Sequence, residues 1–348
     1  MLPQLMQHAN SSMSGSICLG LHTNLINGFR SDSYVRKRIL LTRRLQDFAQ
    51  ARLGRRYDLE VYSGRVPMPR RALIRAISGA HALVCFPYDV IDAGVMDAAP
   101  DLETIATYSV GYDHIDVAHA RGRGITVGYT PDVLTDATAD LTMALMLDLL
   151  RRVTEGDRII RAGRWRQIYG ADDYLGTDVG GKTLGILGMG RIGSRVAKRA
   201  AAFGMKVIYH SRSSTGPGTR VTLGRLLERS DVLSIHVPHT PDTHEMMDMS
   251  RLRKMKRSAY LINTSRGRVV HEKDLAAALR QGIIAGAALD VFHSEPVGPA
   301  NPLVKMQNVV LAPHIGSSTD GTRRKMAELT VKNLELGLSG REPAYSVK

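Results

Sequence analysis

The sequence predicts an α/β chain of two parallel-sheet domains with a cleft between them, and three observations predict it. Short apolar runs alternate with helix-like segments through the first third of the chain. Near the middle, a glycine-rich turn joins an apolar run to a helix-like segment, and the alternation then restarts. With 348 residues and 43% hydrophobic content, the chain is long enough for two domains of ordinary size and apolar enough for a sizeable core.

Residues 1–36 are rich in Ser, Asn, Gln and Met, carry no acid before Asp32, and read as a flexible extension. A transit peptide, a misplaced start codon and a disordered arm all fit that composition. The globular part begins with the apolar run Arg38-Ile39-Leu40-Leu41, which suits a buried first strand. A helix over 45–53, a strand over 59–62 and a helix over 70–77 follow, then strands over 82–86, 104–107 and 126–128. Pro131 and the pair Thr135-Asp136 read as a loop leading into a helix cap. Residues 137–152 form a long, strongly apolar helix, and 163–181 an irregular arm holding the only tryptophan, Trp165. Units of strand and helix restart at 183–187, and a last helix over 321–338 returns to the first domain. The expected domains are therefore 37–134 plus 320–348, and 135–319.

The longest apolar stretch, 141–150, is too short to span a bilayer and is interrupted by Asp148, so no membrane association is expected. Two cysteines, Cys18 and Cys85, make neither a disulfide framework nor a zinc site; a reducing, cytoplasmic setting fits them. The net charge of +14 is dispersed along the chain with no nucleic-acid motif. It suits solvated arginine-rich faces, or phosphorylated cofactors and anionic substrates, better than nucleic acid.

Gly188-Met189-Gly190-Arg191-Ile192-Gly193 is a G-x-G-x-x-G fingerprint, weak alone but here set between the apolar run 184–187 and a helix over 194–203, with a second strand over 206–209. Gly188 permits the tight turn, Gly190 lets backbone approach a pyrophosphate, and Gly193 lets helix and strand pack closely, with Arg191 and Ile192 at the helix N-terminus. The second domain is thus a dinucleotide-binding Rossmann-like fold. After the second strand an NAD enzyme places an acid for the ribose 2′-OH. Here the chain reads His210-Ser211-Arg212-Ser213, with no acid. Arg212 can grip a 2′-phosphate, with Ser211 and Ser213 donating to the same oxygens, so NADP(H) is preferred and NAD(H) remains possible.

Three polar residues follow apolar runs, in the region where open α/β sheets bind ligands: Arg266 after 260–262, Glu295 after 287–289 and the strand-ending Asp290, and His314 after 309–312. Each alone has an ordinary explanation as a structural histidine, a surface acid or an ion-pair arginine. Together they supply what reduction of a 2-oxo acid needs. A histidine donates a proton to the carbonyl oxygen, an acid orients that ring and favours its charged form, and an arginine holds the substrate carboxylate.

These segments, with Asn263-Thr264-Ser265-Arg266-Gly267-Arg268 and Pro313-His314-Ile315-Gly316-Ser317-Ser318, resemble the D-isomer-specific 2-hydroxyacid dehydrogenase family over residues 38–340. Ser109-Val110-Gly111-Tyr112-Asp113-His114-Ile115-Asp116 and the stretch 128–136 resemble its glyoxylate/hydroxypyruvate reductases most. The resemblance implies two Rossmann-like or flavodoxin-like domains, the first binding substrate, and NADPH-dependent reduction of glyoxylate and hydroxypyruvate to glycolate and D-glycerate. It implies Arg266 as substrate binder, Glu295 as partner of the histidine and His314 as general acid/base, with the backbone N–H groups of Val110 and Gly111 receiving the substrate carboxylate. It further implies Thr138, Pro238 and Thr264 along the cofactor, Asp290 facing the nicotinamide amide, Gly316 near the ring, no metal, and a homodimer wrapped by the 137–152 helix and the Trp165 arm. Phe86-Pro87-Tyr88-Asp89 departs from the family's small polar loop, which leaves the choice of 2-oxo acid open; Tyr88 is expected to pack. Two other readings stand beside this one. One is an NAD-dependent D-2-hydroxyacid or D-3-phosphoglycerate dehydrogenase, of which a bulky phosphate substrate would want extra basic residues on the first-domain loops. A dinucleotide-sensing scaffold is allowed by the fold alone.

Overall fold

The computed structural model describes residues 36–65, 67–212 and 215–348; the expected extension over 1–36 lies, but for Arg36, outside them. The described residues form an α/β structure with two sheets, parallel throughout. The first has five strands: β1 (Arg38–Leu41), β2 (Asp58–Val61), β3 (Ala82–Cys85), β4 (Thr104–Thr107) and β5 (Thr126–Gly128), in the order β2-β1-β3-β4-β5. The second has seven: β6 (Thr183–Leu187), β7 (Lys206–His210), β8 (Thr219–Arg220), β9 (Val232–Ile235), β10 (Tyr260–Asn263), β11 (Gly286–Leu289) and β12 (Val309–Leu311), in the order β12-β11-β10-β9-β6-β7-β8. Counted from its own first strand, the five-stranded order is 2-1-3-4-5, the flavodoxin-like arrangement. The larger sheet follows 3-2-1-4-5-6 with one strand added.

Strand burial explains the sequence pattern. β3, β4, β9 and β11 are buried along their whole length, which is why they read as continuous apolar runs rather than alternating ones. The helix Thr135–Arg151 packs Ala139, Met143 and Met146 against Leu184 and Ile186 of β6. The helix Asp320–Leu338 packs Met326, Val331 and Leu334 onto Ile39, Val84 and Ala106 of the five-stranded sheet, and the C-terminal tail bridges Ser346 to Gly128 at its edge.

Three local expectations shift. The long apolar helix begins at Thr135 rather than Ala137, so Thr135 and Asp136 sit in its first turn and Leu134 takes the cap position without a side-chain bond. The helix after the fingerprint begins at Arg191, inside the glycine motif, because Gly190 already serves as its cap. Before the irregular arm, an additional helix, Val153–Arg161, follows Arg152, whose left-handed backbone (φ 57°) breaks the line of the preceding helix.

Candidate active site

In an open α/β sheet, the crevice lies where strand order reverses. In the larger sheet that point falls between β6 and β9. β6 runs into Gly188, whose φ of +99° is open to glycine, and a Cβ there would lie 2.8 Å from the His236 carbonyl carbon just beyond β9. A Cβ on Gly193 would lie 2.2 Å from the Gly188 carbonyl oxygen, so the helix Arg191–Ala202 starts directly against the turn. At Gly190, by contrast, nothing lies within 4 Å of a Cβ position. Bare backbone at a helix N-terminus, facing open space, suits the pyrophosphate of a dinucleotide.

This loop opens onto a cleft of about 1320 Å³ between the two sheets. Ordinary ligand pockets are about 300–1,000 Å³, so this one has room for a dinucleotide together with a small substrate. Val110, Gly111, Thr138, Gly190, Arg191, Ile192, Pro238, Thr264, Arg266, Glu295 and His314 all line it. Gly188, Gly193, Ser211, Arg212, Asp290 and Gly316 are not on its wall. Arg191 reaches across it to Asp132 beyond β5, 2.6 Å away.

His314 stands beyond β12 with φ 55°, a left-handed conformation that costs a non-glycine residue on the order of 1 kcal/mol or more. Asp290, just beyond β11, holds that turn. Its two carboxylate oxygens accept the N–H groups of Ile315 (2.7 Å) and Gly316 (2.8 Å). Burial pushes the Asp290 carboxyl above its ordinary range despite those bonds. Both oxygens of Asp290 are thus engaged with the histidine loop. Thr138 closes the loop from the other side, donating to the Gly316 carbonyl at 3.1 Å, and Thr142 ties the same helix to Thr264 at 2.8 Å.

The His314 ring donates from Nδ1 to the Glu295 carboxylate at 2.6 Å, which leaves Nε2 as its free nitrogen. The other Glu295 oxygen accepts the Phe292 N–H at 2.9 Å. Burial pushes the Glu295 carboxyl up, but the hydrogen bond and charge of His314, helped by Phe292 and Arg266, hold it below the ordinary carboxylate range. The acid beside the histidine is thus an anion.

Arg266 follows β10, and its guanidinium lies over Gly111, where a Cβ would meet Nη2 at 1.6 Å. Its Nε donates to Asp113 at 3.0 Å. Burial raises the Asp113 carboxyl, yet the charge and hydrogen bond of Arg266 outweigh it and leave it lowered. The Ser109 hydroxyl donates to the Gly111 carbonyl, shaping the turn that presents Val110 and Gly111 to the cleft. Sequence reasoning missed Asp113. The available signal was an acid two residues past a glycine in a loop that follows a strand.

At the end of β7, Arg212 is exposed and paired with Asp242 at 2.9 Å, while Ser213 lies outside the described residues. Arg220 of β8, also missed, donates to the carbonyls of Ser211 (2.6 Å) and Arg212 (2.9 Å), placing a second cation beside the same turn. No helix of the described residues is long and apolar enough to cross a membrane.

Comparison with known proteins agrees with this geometry. Residues 143–316 match the family described as D-isomer specific 2-hydroxyacid dehydrogenase, NAD binding domain. A glyoxylate reductase of Thermofilum pendens is 46% identical over 316 residues, covering 88% of this chain and 93% of the relative. Among solved structures, a protein of Thermus thermophilus superposes with a TM-score of 0.85 at 48% identity, over 89% of this chain and all of that one. The NADPH-dependent glyoxylate/hydroxypyruvate reductase of Sinorhizobium meliloti, solved with NADP and malonate, gives 0.80 at 33% identity, over 90% of this chain and 97% of the other. With its fingerprint, its cleft and these likenesses together, the chain belongs to the D-isomer specific 2-hydroxyacid dehydrogenase family and is an NAD(P)-dependent 2-hydroxyacid dehydrogenase.

Proposed function

We propose that the protein reduces small 2-oxo acids, glyoxylate and hydroxypyruvate among them, to the 2-hydroxy acids glycolate and D-glycerate, with NADPH preferred. One observation carries this reading above the others: the His314–Glu295 couple at 2.6 Å and Arg266 share one cleft with Gly190 of the glycine loop. Bound there, the dinucleotide supplies the hydride. The protein's residues do the rest. Arg266, with the N–H groups of Val110 and Gly111, grips the substrate carboxylate and so sets the orientation of the neighbouring carbonyl. His314 Nε2 gives its proton to the carbonyl oxygen as charge builds there, and the Glu295 anion holds the ring in place and balances its charge. Asp113 fixes Arg266 from behind and acts as a positioning residue. In this reading the five-stranded half, residues 37–134 with 320–348, handles the substrate, and residues 135–319 hold the cofactor.

NADPH preference rests on Arg212, just past β7, and Arg220 of β8 beside it, at the place where an acid would otherwise take the ribose hydroxyl. The dispensable Arg212–Asp242 pair supports it, since an exposed ion pair of this kind contributes about 0–1 kcal/mol and gives way to a phosphate. The exposed Val153, Ile160, Trp165 and Ile168 of the helix and arm fit a homodimer in which a second copy covers them. A panel of 2-oxo acids assayed with NADPH and with NADH tests the function. Consumption of NADPH with glyoxylate or hydroxypyruvate is expected, faster than that of NADH at equal concentration. No consumption with either acid rejects the reading.

A further inference from the structure

The five-stranded sheet has a switch point of its own, between β1 and β3, and ligands of open α/β sheets bind beyond the carboxyl ends of strands at such points. Arg43 lies just beyond β1, and Phe86 and Tyr88 just beyond β3. Arg43 Nη1 donates to the Tyr88 hydroxyl at 2.7 Å, with its guanidinium 6.0 Å from the ring centroid. Arg323, from the helix Asp320–Leu338, reaches the same wall: its guanidinium stands 5.6 Å from the Tyr108 ring, and Nη2 donates to the Ser318 hydroxyl at 2.8 Å. Between the two cations the rings of Tyr88, Phe86 and Tyr108 form a row, with centroids 5.9 and 5.1 Å apart. The row is fixed in place, because the Tyr108 hydroxyl donates to the Arg323 carbonyl at 2.7 Å and accepts from Gln46 at 3.1 Å.

Nearby surface arginines are neutralised. Arg44 pairs with Asp47, and Arg324 with Glu328. Among the described residues, neither Arg43 nor Arg323 has a carboxylate within ion-pair distance. Asp89 lies buried behind the wall, its carboxylate accepting the Thr42 hydroxyl and the Phe86 N–H. Both arginines nevertheless line the cleft that holds Arg266 and His314. Two guanidiniums with no carboxylate in ion-pair contact, the charge of Arg43 felt among carboxyls by Asp89 buried behind it, stand along an aromatic shelf at a switch point and are a ready receptor for an anion.

We infer that this wall is a subsite for a second anionic group on the substrate, so that 2-oxo acids whose side chain ends in a carboxylate or phosphate are taken better than neutral ones of the same length. The inference rests on the function proposed above and sharpens its substrate class. Arg266 holds the carboxylate next to the carbonyl, and Arg43 and Arg323 hold the far end, which fixes an extended substrate at both termini. Glyoxylate has no atoms to reach that wall.

The test is a matched-pair comparison of kcat/KM with NADPH: 2-oxoglutarate against 2-oxopentanoate, and 3-phosphohydroxypyruvate against hydroxypyruvate. The anionic member of at least one pair is expected to be favoured tenfold or more, and the larger advantage tells carboxylate from phosphate. That advantage should shrink toward unity in Arg43→Gln and in Arg323→Gln, and survive in part in Arg43→Lys. Because each ratio is internal to one variant, a loss of folded protein does not mimic the effect. A thermal-shift comparison of 2-hydroxyglutarate with 2-hydroxypentanoate, in the presence of cofactor, reads the same preference without turnover. The inference is overturned if neither wild-type pair nor the thermal shift favours the anion, or if both glutamine variants keep the wild-type ratios. Absence of turnover with glyoxylate and hydroxypyruvate strikes at the proposed function instead, and the thermal shift then still decides the subsite.

Discussion

The two ends of the cofactor crevice are built on different principles. At the chemical end each charged group has a specified partner: His314 on Glu295 and Asp290 on two backbone N–H groups, both part-buried or buried, and Arg266 on Asp113. At the far end, beyond β7, Arg212 is exposed and its ion pair with Asp242 is open to water. The first arrangement fixes geometry ahead of the reaction, including a histidine kept in a left-handed backbone by Asp290. On the proposed function, the second only biases which dinucleotide is preferred, through contacts that give way easily. Reaction type should therefore be hard to change by substitution and cofactor choice easy.

That contrast sets the order of expected effects. Glu295→Gln leaves His314 without its anion and is expected to lower kcat by about 100-fold or more, with the KM for NADPH nearly unchanged. A small effect on kcat would show that the couple does not organise the chemistry. Gly111→Ala places a methyl where the Arg266 guanidinium now sits, so the clamp must move. Losing a charge-assisted grip of about 1.5–3 kcal/mol should raise the KM for the 2-oxo acid by roughly tenfold or more. Steady-state kinetics check both. At the loose end, Arg212→Ala should weaken NADPH by about tenfold and leave NADH nearly alone, while Asp242→Asn should tighten NADPH by no more than about threefold. Equal effects of Arg212→Ala on both dinucleotides, measured by titration, would remove that arginine from the 2′-phosphate.

Much of this was legible in the sequence because buried parallel strands leave uninterrupted apolar runs, and the polar residue that follows each run falls at the strand's carboxyl end. Arg266 after β10 and His314 after β12 were found that way. The glycine loop was readable because its spacing answers to steric demands, as the collision at Gly193 shows. The helix Val153–Arg161 was not legible: its start depends on one left-handed residue, Arg152, which the pattern of apolar positions does not encode. Asp113 escaped because its partner Arg266 is 153 residues away, and only the fold brings the two to 3.0 Å. Arg220 escaped for a related reason, since β8 is two residues long and meets the β7 turn only through sheet pairing.

The most direct trial of the account is His314→Ala, with turnover and binding measured on the same preparation. Oxidation of NADPH with glyoxylate should fall by about 100- to 10,000-fold, while NADPH binding, followed by its fluorescence, stays close to wild type. Turnover within a few-fold of wild type, with binding intact, would contradict the assignment of His314 as the proton donor.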